Sequence, residues 1–423
     1  MSETISIETL GVQAKAAASV LAHITTEQKN AALQKVADQL WQERAEILRA
    51  NEADQFTARA NNIGEALLDR LMLNEKRLES IIADLRQVTE LADPVNELLE
   101  EKTMPNGLHL SKRRVPLGVL AVIYEARPNV TVDVAGLALK SGNCVILRGG
   151  SETIYSNRAL TAAIQRGLEG TEVPANAVQL ISDPDRALVL ELLQMDRYVD
   201  LVIPRGGAQL HEFCRRNSRI PVITGGMGIC HLFVDESADL EHSIEVIRNA
   251  KIQRPSVCNA LDTCLVHRAV ADEFLPRLVK RLAADGVTFR ADPRAYAICS
   301  AVEPEAVKEA GPFDFDTEWM ALVLGLRVVS GVEEAVEHIE KHSTHHSDGI
   351  LTEDSAHAAL FMEQVDSAAV YVNASTRFTD GAQMGLGAEI AVSTQRLHAR
   401  GPMGLNELTT YKWIIQGDYN VRP

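Results

Sequence analysis

Apolar residues recur at helical spacing through the first hundred positions of the chain. One stripe, spaced at i, i+3, i+4 and i+7, is formed by Leu33, Val36, Ala37 and Leu40. A second stripe, over 67–91, is formed by Leu71, Leu78, Ile81, Ile82, Leu85 and Val88. Thr25 with Gln28 fits a capping box before the first stripe, and Pro94 stops the second. The pattern predicts amphipathic helices whose apolar faces pack against another part of the protein.

From residue 115 onward, short apolar runs alternate with helical stretches. The runs that predict strands are 119–123, 144–147, 177–181, 199–203 and 221–223. The stretches between them that predict crossover helices are 130–140, 156–167, 185–194 and 208–217. Continuous Val, Ile and Leu runs separated by helices indicate a parallel sheet covered on both faces. Such sheets bind ligands at the carboxyl ends of their strands.

A second α/β region follows, from about residue 228 to residue 395. Its predicted strands are 231–234, 263–266, 326–329 and 369–372. The segment 408–415 is also typical of a strand, and a terminal strand of this kind often pairs outside its own domain.

Composition restricts the classes of function. With 423 residues, of which 46% are hydrophobic and 24% charged, the chain is typical of a globular protein of two or three domains. Lys plus Arg number 42 and Asp plus Glu 58, so the net charge is 42 − 58 = −16. This surface repels nucleic acid and anionic lipid, and we expect neither as a partner. A phosphorylated ligand needs a locally positive pocket.

The cysteines and the N-terminus bear on the compartment. Residues 1–13 lack the basic flank and apolar run of a secretion signal, and no stretch reaches roughly 18 apolar residues. We therefore expect a cytoplasmic protein. Six cysteines without a C-x-x-C pair argue against a disulfide framework and a thiolate zinc site.

Two glycine turns follow predicted strands, at 148–150 and 204–207. Neither a G-x-G-x-x-G sequence nor a P-loop is present in the chain. Glycine lets backbone N–H groups approach a phosphate, and the arginine in each turn adds positive charge. Taken alone, however, each turn is better explained as a plain strand-to-helix connection.

Cys258 lies in a Gln-Arg-Pro-Ser-Val-Cys-Asn-Ala stretch, 253–260, where Arg254 could stabilise its thiolate. The competing interpretation is a buried, inert cysteine.

Histidines also suggest a metal site, since His338 and His342 are four residues apart and His345 and His346 follow. Glu340, however, points roughly 200° away from the first histidine on a helix. We therefore favour a solvated helix that ends in a polar loop, 343–349, and expect no metal.

Four separated motifs carry a resemblance over nearly the whole chain. They are Tyr-Glu-Ala-Arg-Pro-Asn-Val-Thr at 124–131, Arg-Pro-Ser-Val-Cys-Asn at 254–259, His-Ile at 338–339 running to Ser-Asp-Gly-Ile at 347–350, and Asn-Ala-Ser-Thr-Arg-Phe-Thr-Asp-Gly at 373–381. With them the chain resembles the gamma-glutamyl phosphate reductase family (glutamate-5-semialdehyde dehydrogenases), a proline-biosynthesis branch of the aldehyde dehydrogenase superfamily.

The resemblance implies an α/β, aldehyde dehydrogenase-like fold of three parts. They are an atypical Rossmann domain that binds NADP (1–106 and 119–227), a catalytic domain (228–395) and a small oligomerisation arm (107–118 and 396–423). It also implies a homo-oligomer.

The resemblance further implies the residues of the site. Cys258 is the catalytic nucleophile, which overrides the inert interpretation. Asn129 or Arg127 stands in the region that supplies the oxyanion-binding side chain. Arg254 and Arg377 are candidates for the substrate phosphate or α-carboxylate, because guanidinium groups bind such oxyanions bidentately.

Four residues are implied as cofactor ligands. Arg148 stands where the superfamily has a lysine that contacts the adenosine ribose, and an arginine suits a 2′-phosphate, which favours NADP(H) over NAD. Gly206 and Gly207 fall near the pyrophosphate, and Glu318 aligns loosely with a glutamate that holds the nicotinamide ribose.

One departure from the superfamily is informative. Hydrolytic aldehyde dehydrogenases carry a glutamate that activates water, and this chain has Ile223 in its place. The resemblance therefore implies NADPH-dependent reduction of L-glutamyl 5-phosphate to L-glutamate 5-semialdehyde and phosphate through a cysteine thioester, the second step of proline biosynthesis from glutamate. The upstream glutamate 5-kinase is a possible partner. The alternative is a hydrolytic NAD(P)-dependent aldehyde dehydrogenase, which needs the missing carboxylate.

Overall fold

A computed structural model of the chain describes residues 6–422. Within them the chain divides into two compact units. Unit 1 comprises the chain up to Thr224, Gly385–Ala391 and the chain from Met403 onward, and unit 2 comprises Gly225–Met384 and Val392–Pro402. Residues 1–5 and 423, which the domain predictions include, lie outside the described residues.

The helices and strands follow one another along the chain in a mixed α/β order. Up to residue 224 they are α1 Ile7–Leu21, α2 Thr26–Gln42, α3 Arg44–Ala60, α4 Glu65–Leu71, α5 Glu75–Glu90, β1 Leu98–Thr103, β2 His109–Pro116, β3 Val119–Tyr124, α6 Asn129–Lys140, β4 Cys144–Arg148, α7 Ile154–Leu168, β5 Val178–Leu180, α8 Ala187–Leu193, β6 Leu201–Arg205 and α9 Ala208–Asn217. Beyond it they are β7 Cys230–Val234, α10 Leu240–Ile252, β8 Leu261–His267, α11 Ala271–Ala283, β9 Thr288–Ala291, α12 Pro293–Cys299, β10 Val307–Glu309, β11 Val323–Val329, α13 Val332–His342, β12 Ser347–Leu351, α14 Ser355–Gln364, β13 Ala369–Val372, β14 Ala391–Ser393, β15 Gly401–Met403 and β16 Thr409–Gln416.

The N-terminal helices form as predicted. The capping box of Thr25 and Gln28 starts α2, and its apolar stripe is buried. This stripe packs on α5 and α7. The second stripe is divided between α4 and α5, because the Asn74 side chain accepts a hydrogen bond from the backbone of Arg77 and begins a new helix. No helix within residues 6–422 has the length and apolar composition required to cross a membrane.

A four-stranded parallel sheet, ordered β5-β4-β3-β6, forms the core of unit 1. Four of the predicted strands and all four crossover helices are confirmed. The fifth predicted strand, 221–223, is wrong. It makes an isolated bridge, in which Val202 donates to the carbonyl of Pro221 and Ile223 donates to the carbonyl of Val202. Pro221 has no N–H, and the chain then turns at Gly226, whose φ is 88°.

A separate antiparallel sheet is built from β1, β2 and β16, with β2 in the centre. It contains the predicted terminal strand and a strand at 98–103 that the sequence did not reveal. Tyr411, Trp413 and Ile415 alternate along β16 and are exposed. The edge strand β16 therefore presents an aromatic face to solvent in the isolated chain.

Unit 2 contains a seven-stranded parallel sheet ordered β10-β9-β11-β8-β7-β12-β13. Helices α10, α11 and α12 cover one face, and α13 and α14 cover the other. The four predicted strands are confirmed, but β9, β10 and β12 were missed.

The predicted helix is α13, which ends at His342 and has an exposed outer face, and a loop follows it at 343–346, but the predicted extension of this loop to 349 is wrong. Ser347, Asp348 and Gly349 begin β12 and are buried. His338 and His346 are also buried. The polar residues at 347–349 had predicted a loop, but a buried strand is possible because Asp348 accepts hydrogen bonds inside the sheet from His231, Ser343 and Ser367.

Candidate active site

Cys258 lies in the loop between α10 and β8 and is the one partly exposed residue among the six cysteines, all of which the structure describes. The five buried cysteines are Cys144, Cys214, Cys230, Cys264 and Cys299. Burial raises the pKa of Cys144 and Cys299 to about 12 and that of Cys214 to about 11. Thiols held protonated and out of solvent are poor nucleophiles, so Cys258 is the candidate for covalent chemistry.

The main chain of Cys258 is held in place by contacts with β7 and with the residues that precede β7. A Cβ atom at Gly228 would lie 1.6 Å from the carbonyl oxygen of Cys258, so no larger residue fits there without movement. The buried Cys230 thiol donates to the same oxygen over 3.2 Å. The sequence analysis missed both residues, although a glycine directly before a buried strand is a signal of close backbone approach.

The loop after β13 is tied to the nucleophile's neighbour. The Asn259 amide donates to the carbonyl of Thr379 over 2.9 Å, and the Thr376 hydroxyl donates to the carbonyl of Asn259 over 2.7 Å. These bonds join the Arg-Pro-Ser-Val-Cys-Asn motif to the Asn-Ala-Ser-Thr-Arg motif, although 117 residues separate Asn259 from Thr376.

Two predicted arginines are brought close to the thiol by this arrangement. Arg377 Nε donates to Gln253 Oε1 over 2.9 Å. Partial burial lowers the pKa of Arg377, and the nearby charge of Arg254 lowers it further, whereas Asp380 and Cys258 act in the opposite direction. Arg377 therefore lies within electrostatic range of both Arg254 and Cys258, and two guanidinium groups near a thiol supply local positive charge of the kind that an acidic protein needs in order to hold an anion.

Glu318 also belongs to this group. Its Oε1 accepts a hydrogen bond of 2.9 Å from the backbone of Gly228, the residue that contacts the Cys258 carbonyl. Burial raises the pKa of Glu318 to about 7, and the negative charge of Asp262 adds to the shift. A carboxyl group with this pKa exists in both protonation states near neutral pH.

Asp262 and Lys251 form a buried pair beneath the loop. Lys251 Nζ lies 3.5 Å from Asp262 Oδ1 and donates to the carbonyl of Leu261 over 2.8 Å. Burial raises the pKa of Asp262 to about 6 and lowers that of Lys251, more than their mutual attraction compensates. Asp262 also accepts a hydrogen bond from the backbone N–H of Trp319, and this bond fixes the main chain directly after Glu318. The sequence signal was a charged residue inside the apolar run of β8.

The remaining predicted residues lie in unit 1, where the carboxyl ends of β3, β4 and β6 meet. Arg148 ends β4 and is only 9% exposed. Its Nη1 donates to the carbonyl of Gly149 and its Nη2 to that of Pro184, whereas its buried Nε has no partner among the described residues. The guanidinium therefore contributes a positive charge at the end of β4, and two of its five N–H groups are bonded to the backbone.

Gly206 and Gly207 form the turn from β6 into α9. Glu125 accepts a hydrogen bond of 3.1 Å from the backbone of Gly207, and a Cβ atom at Gly206 would lie 2.5 Å from the same carboxylate oxygen. A Cβ atom at Gly207 would meet nothing within 4 Å. The start of α9 therefore has open space, but the Gly207 N–H is bonded to the Glu125 carboxylate, so a pyrophosphate would have to displace this carboxylate in order to accept from that N–H. Glu125 was missed, although it lies within the quoted 124–131 motif.

Arg127 and Asn129 follow β3. The Arg127 side chain is exposed and that of Asn129, the first residue of α6, is partly exposed. Asn129 Nδ2 donates to Asp133 Oδ2 over 2.8 Å. Asp133 was not singled out from the sequence.

Ile223 is buried, with 2% of its surface exposed, and its backbone is bonded to Val202. An aliphatic side chain at this position has no group that can activate water.

The His338 ring packs edge-on against His231 and at a tilt against His342. The centroid of the His338 ring lies 5.4 Å from that of His231 and 4.5 Å from that of His342. Arg327 Nη1 lies 3.1 Å from His338 Nδ1. A guanidinium only donates, so Nδ1 accepts and the proton is on Nε2, the nitrogen that a metal would need. Burial lowers the pKa of His338 to about 2.

Comparisons with known proteins agree on one family. The aldehyde dehydrogenase family model matches residues 5–309 of the chain. A gamma-glutamyl phosphate reductase from Cronobacter sakazakii is 55% identical over 416 residues, which cover 98% of this chain and 100% of that protein. The crystal structure of gamma-glutamyl phosphate reductase from Thermotoga maritima superposes with a TM-score of 0.95 at 48% identity, covering 98% of this chain and 99% of that one.

More distant structures share the fold. An engineered glycolyl-CoA reductase with bound NADP⁺ has a TM-score of 0.68 at 17% identity, covering 97% of this chain and 96% of that chain. The predicted α/β, aldehyde dehydrogenase-like fold is confirmed. The chain therefore belongs to the aldehyde dehydrogenase family and, within it, to the gamma-glutamyl phosphate reductases, oxidoreductases that use a nicotinamide cofactor.

Proposed function

We propose that the protein reduces L-glutamyl 5-phosphate to L-glutamate 5-semialdehyde and phosphate with NADPH, as the second step of proline biosynthesis from glutamate. The observation that carries this proposal is the partly exposed Cys258 within electrostatic range of Arg377, which in turn interacts with Arg254. A nucleophile next to two cations suits an electrophile that bears a phosphate.

Covalent catalysis starts at Cys258. Its thiolate attacks the γ-carbonyl carbon of the acyl phosphate, and the C–O bond to phosphate breaks with its electron pair on the leaving oxygen. The arginine pair stabilises the departing dianion, and Asn129 or Arg127 is the candidate donor to the tetrahedral oxyanion. The fixed carbonyl of Cys258 keeps the sulfur in place while the bond forms.

The described residues fit a dinucleotide. Gly206 and Gly207 offer the open start of α9 for the pyrophosphate, Arg148 contributes positive charge that favours a 2′-phosphate, and Glu318 is the candidate for the nicotinamide ribose. The bound cofactor supplies the hydride that the thioester carbon needs. Domain boundaries of 1–106 with 119–227 for cofactor binding, 228–395 for catalysis and 107–118 with 396–423 for oligomerisation belong to the same proposal.

The final steps need little from the protein. Once the thioester carbon is reduced, the carbon–sulfur bond breaks, the thiolate of Cys258 is restored and the semialdehyde leaves. The aliphatic side chain of Ile223 provides no base for hydrolysis, so phosphate rather than water exchanges with the thioester. A hydrolytic aldehyde dehydrogenase would need a carboxylate there.

The experiment uses the reverse reaction, with semialdehyde, NADP⁺ and phosphate. The Cys258→Ser variant is expected to lose NADP⁺ reduction, because a serine hydroxyl without an adjacent base is a weak nucleophile. The parent protein is expected to need phosphate or arsenate. Parent-like turnover by the variant would contradict the covalent route, and rapid NADP⁺ reduction without either anion would support the hydrolytic alternative.

The remaining proposals concern the setting of the reaction. We propose that the protein is a homo-oligomer that assembles through the β1-β2-β16 sheet, whose edge presents Tyr411, Trp413 and Ile415 to solvent. The upstream glutamate 5-kinase is a proposed partner, because it would deliver a labile acyl phosphate. The biosynthetic role suggests the cytoplasm.

A further inference from the structure

Helix α6 is buried along its length except at two positions. Of its 12 residues, only Asn129 and Asp133 are partly exposed. They are four residues apart and therefore lie on the same side of the helix. The hydrogen bond of 2.8 Å from Asn129 Nδ2 to Asp133 Oδ2 orients the amide, because a carboxylate can only accept. The accessible face of α6 thus consists of a carboxylate and an amide held in one orientation.

The charge of Asp133 is poorly compensated by the protein. Burial raises the pKa of Asp133 to about 6. The hydrogen bond from Asn129 only partly offsets this effect, and the negative charge of Asp84, a residue of α5, adds to it. Arg205, at the end of β6, attracts it, but the two do not form an ion pair in the described part of the chain. A cation that binds next to Asp133 would therefore be stabilised, and the partly exposed Arg205 is the positive charge that acts on this carboxylate.

A glutamyl substrate carries an ammonium and a carboxylate on the same carbon, and the charges of Asp133 and Arg205 complement this pair. We propose that Asp133 binds the α-ammonium group of the substrate and makes the enzyme select an amino acid over the corresponding compound without the amino group. Asn129 is held by the same carboxylate and keeps its second N–H for the substrate. The inference rests on the proposed function, because it concerns how the same substrate is recognised.

The test compares two aldehydes in the reverse reaction with NADP⁺ and phosphate. L-Glutamate 5-semialdehyde has the α-ammonium group, and 5-oxopentanoate lacks it. For Asp133→Asn we expect kcat/KM to fall about 10- to 100-fold more with the semialdehyde than with 5-oxopentanoate, as for the loss of a charge-assisted hydrogen bond to the ammonium group, because any change in the orientation of Asn129 affects both aldehydes alike. Asp84→Asn, at the exposed neighbouring carboxylate, is the matched control and should leave the ratio of the two values unchanged.

The outcomes separate the two proposals. Failure of the parent protein to show phosphate-dependent turnover of the semialdehyde would refute the proposed function before any variant is made. Equal losses for both aldehydes in Asp133→Asn would mean that Asp133 supports the fold or the reaction in general, and would overturn the inference. Should Asp133→Asn fail to fold, as judged by its thermal unfolding, Asp133→Glu decides. It keeps the charge and should keep a preference for the semialdehyde, and loss of that preference contradicts the inference.

Discussion

Around Cys258, single side chains act mainly by fixing the backbone. Gly228 allows its segment to lie against the Cys258 carbonyl, and the Cys230 thiol donates to that oxygen. The hydrogen bond from the Gly228 amide also holds Glu318. One residue without a side chain therefore links the nucleophile's main chain to a candidate cofactor ligand.

Gly228→Ala should impair catalysis strongly. Its added Cβ atom would lie 1.6 Å from a backbone oxygen, so the Cys258 segment must move. A displacement of about 1 Å at a nucleophile can lower the rate by roughly 100-fold. We expect a loss of this order in kcat at saturating substrate. Gly64→Ala is the control, because a Cβ atom there meets nothing within 4 Å and φ is −65°. Parent-like kcat in Gly228→Ala would contradict the role of the close approach.

The sequence allowed the reactive thiol to be predicted, but not the residues that hold its main chain in place. Cys258 and the two arginines were found through motif letters, which record side-chain chemistry. Gly228, Cys230 and the Lys251–Asp262 pair act through backbone contact or burial, and neither is visible until strands β7 and β8 are side by side. Asp133 was missed for the same reason, since only the packed helix shows that it is one of two partly exposed positions.

Strands β7 and β12 are joined by a polar contact inside an apolar sheet. His231 Nδ1 lies 2.9 Å from Asp348 Oδ1, and both side chains are fully buried. The Asp348 carboxylate also accepts from the backbone of His231 and from two serines. Because every bond ends on one carboxylate, the pair fixes the start of both strands.

His231→Ala should destabilise unit 2. It leaves a buried carboxylate with one partner fewer, at a cost of about 3 kcal/mol in the free energy of unfolding. His242→Ala is a matched control, because His242 Nδ1 lies 2.8 Å from Asp239 at the surface, with 86% of its side chain exposed. That change should cost less than about 1 kcal/mol. Denaturant unfolding of both variants measures the difference, and equal losses would contradict the importance of burial.

Apolar runs predicted most elements, and polar strands were the failures. The runs at 119–123 and 144–147 became central strands because four or more consecutive apolar residues suit a sheet covered on both faces. β12 begins with Ser-Asp-Gly, letters typical of a turn, and its burial depends on partners distant in sequence. The opposite error at 221–223 arose because an apolar run with Pro221 cannot continue a hydrogen-bonded ladder.

The stability of the whole protein should depend on pH partly through Glu318. Its folded-state pKa of about 7 lies above the ordinary value of 4.5, so the folded protein binds more protons between these values. The stabilisation is complete below about pH 4.5 and is lost as the pH rises through 7. Glu318→Gln removes this decline, so its melting temperature relative to the parent should rise from pH 5 to pH 7.5.

Circular dichroism melting curves at several pH values provide the measurement. Glu172→Gln, at an exposed position, is the control and should give a flat difference. A relative melting temperature of Glu318→Gln that stays flat or falls with pH would mean that burial does not raise this pKa.

Assembly is the second property of the whole molecule that can be tested. Tyr411 and Trp413 lie on one face of the edge strand β16 and are 52% and 42% exposed, whereas Lys412 points to the other face. The double variant Tyr411→Glu, Trp413→Glu should dissociate to a monomer, and Lys412→Glu should not. Light scattering after gel filtration measures the mass. A parent that is already monomeric, or a double variant of unchanged mass, would contradict assembly through this sheet.

Covalent trapping at Cys258 tests the account most directly. The protein is incubated with isotopically labelled glutamyl phosphate, without cofactor, and its peptides are analysed by mass spectrometry. We expect one labelled thioester, on the peptide that contains Cys258, and we expect it to disappear when phosphate is added in excess. Label on another side chain, with Cys258 unmodified, would contradict it.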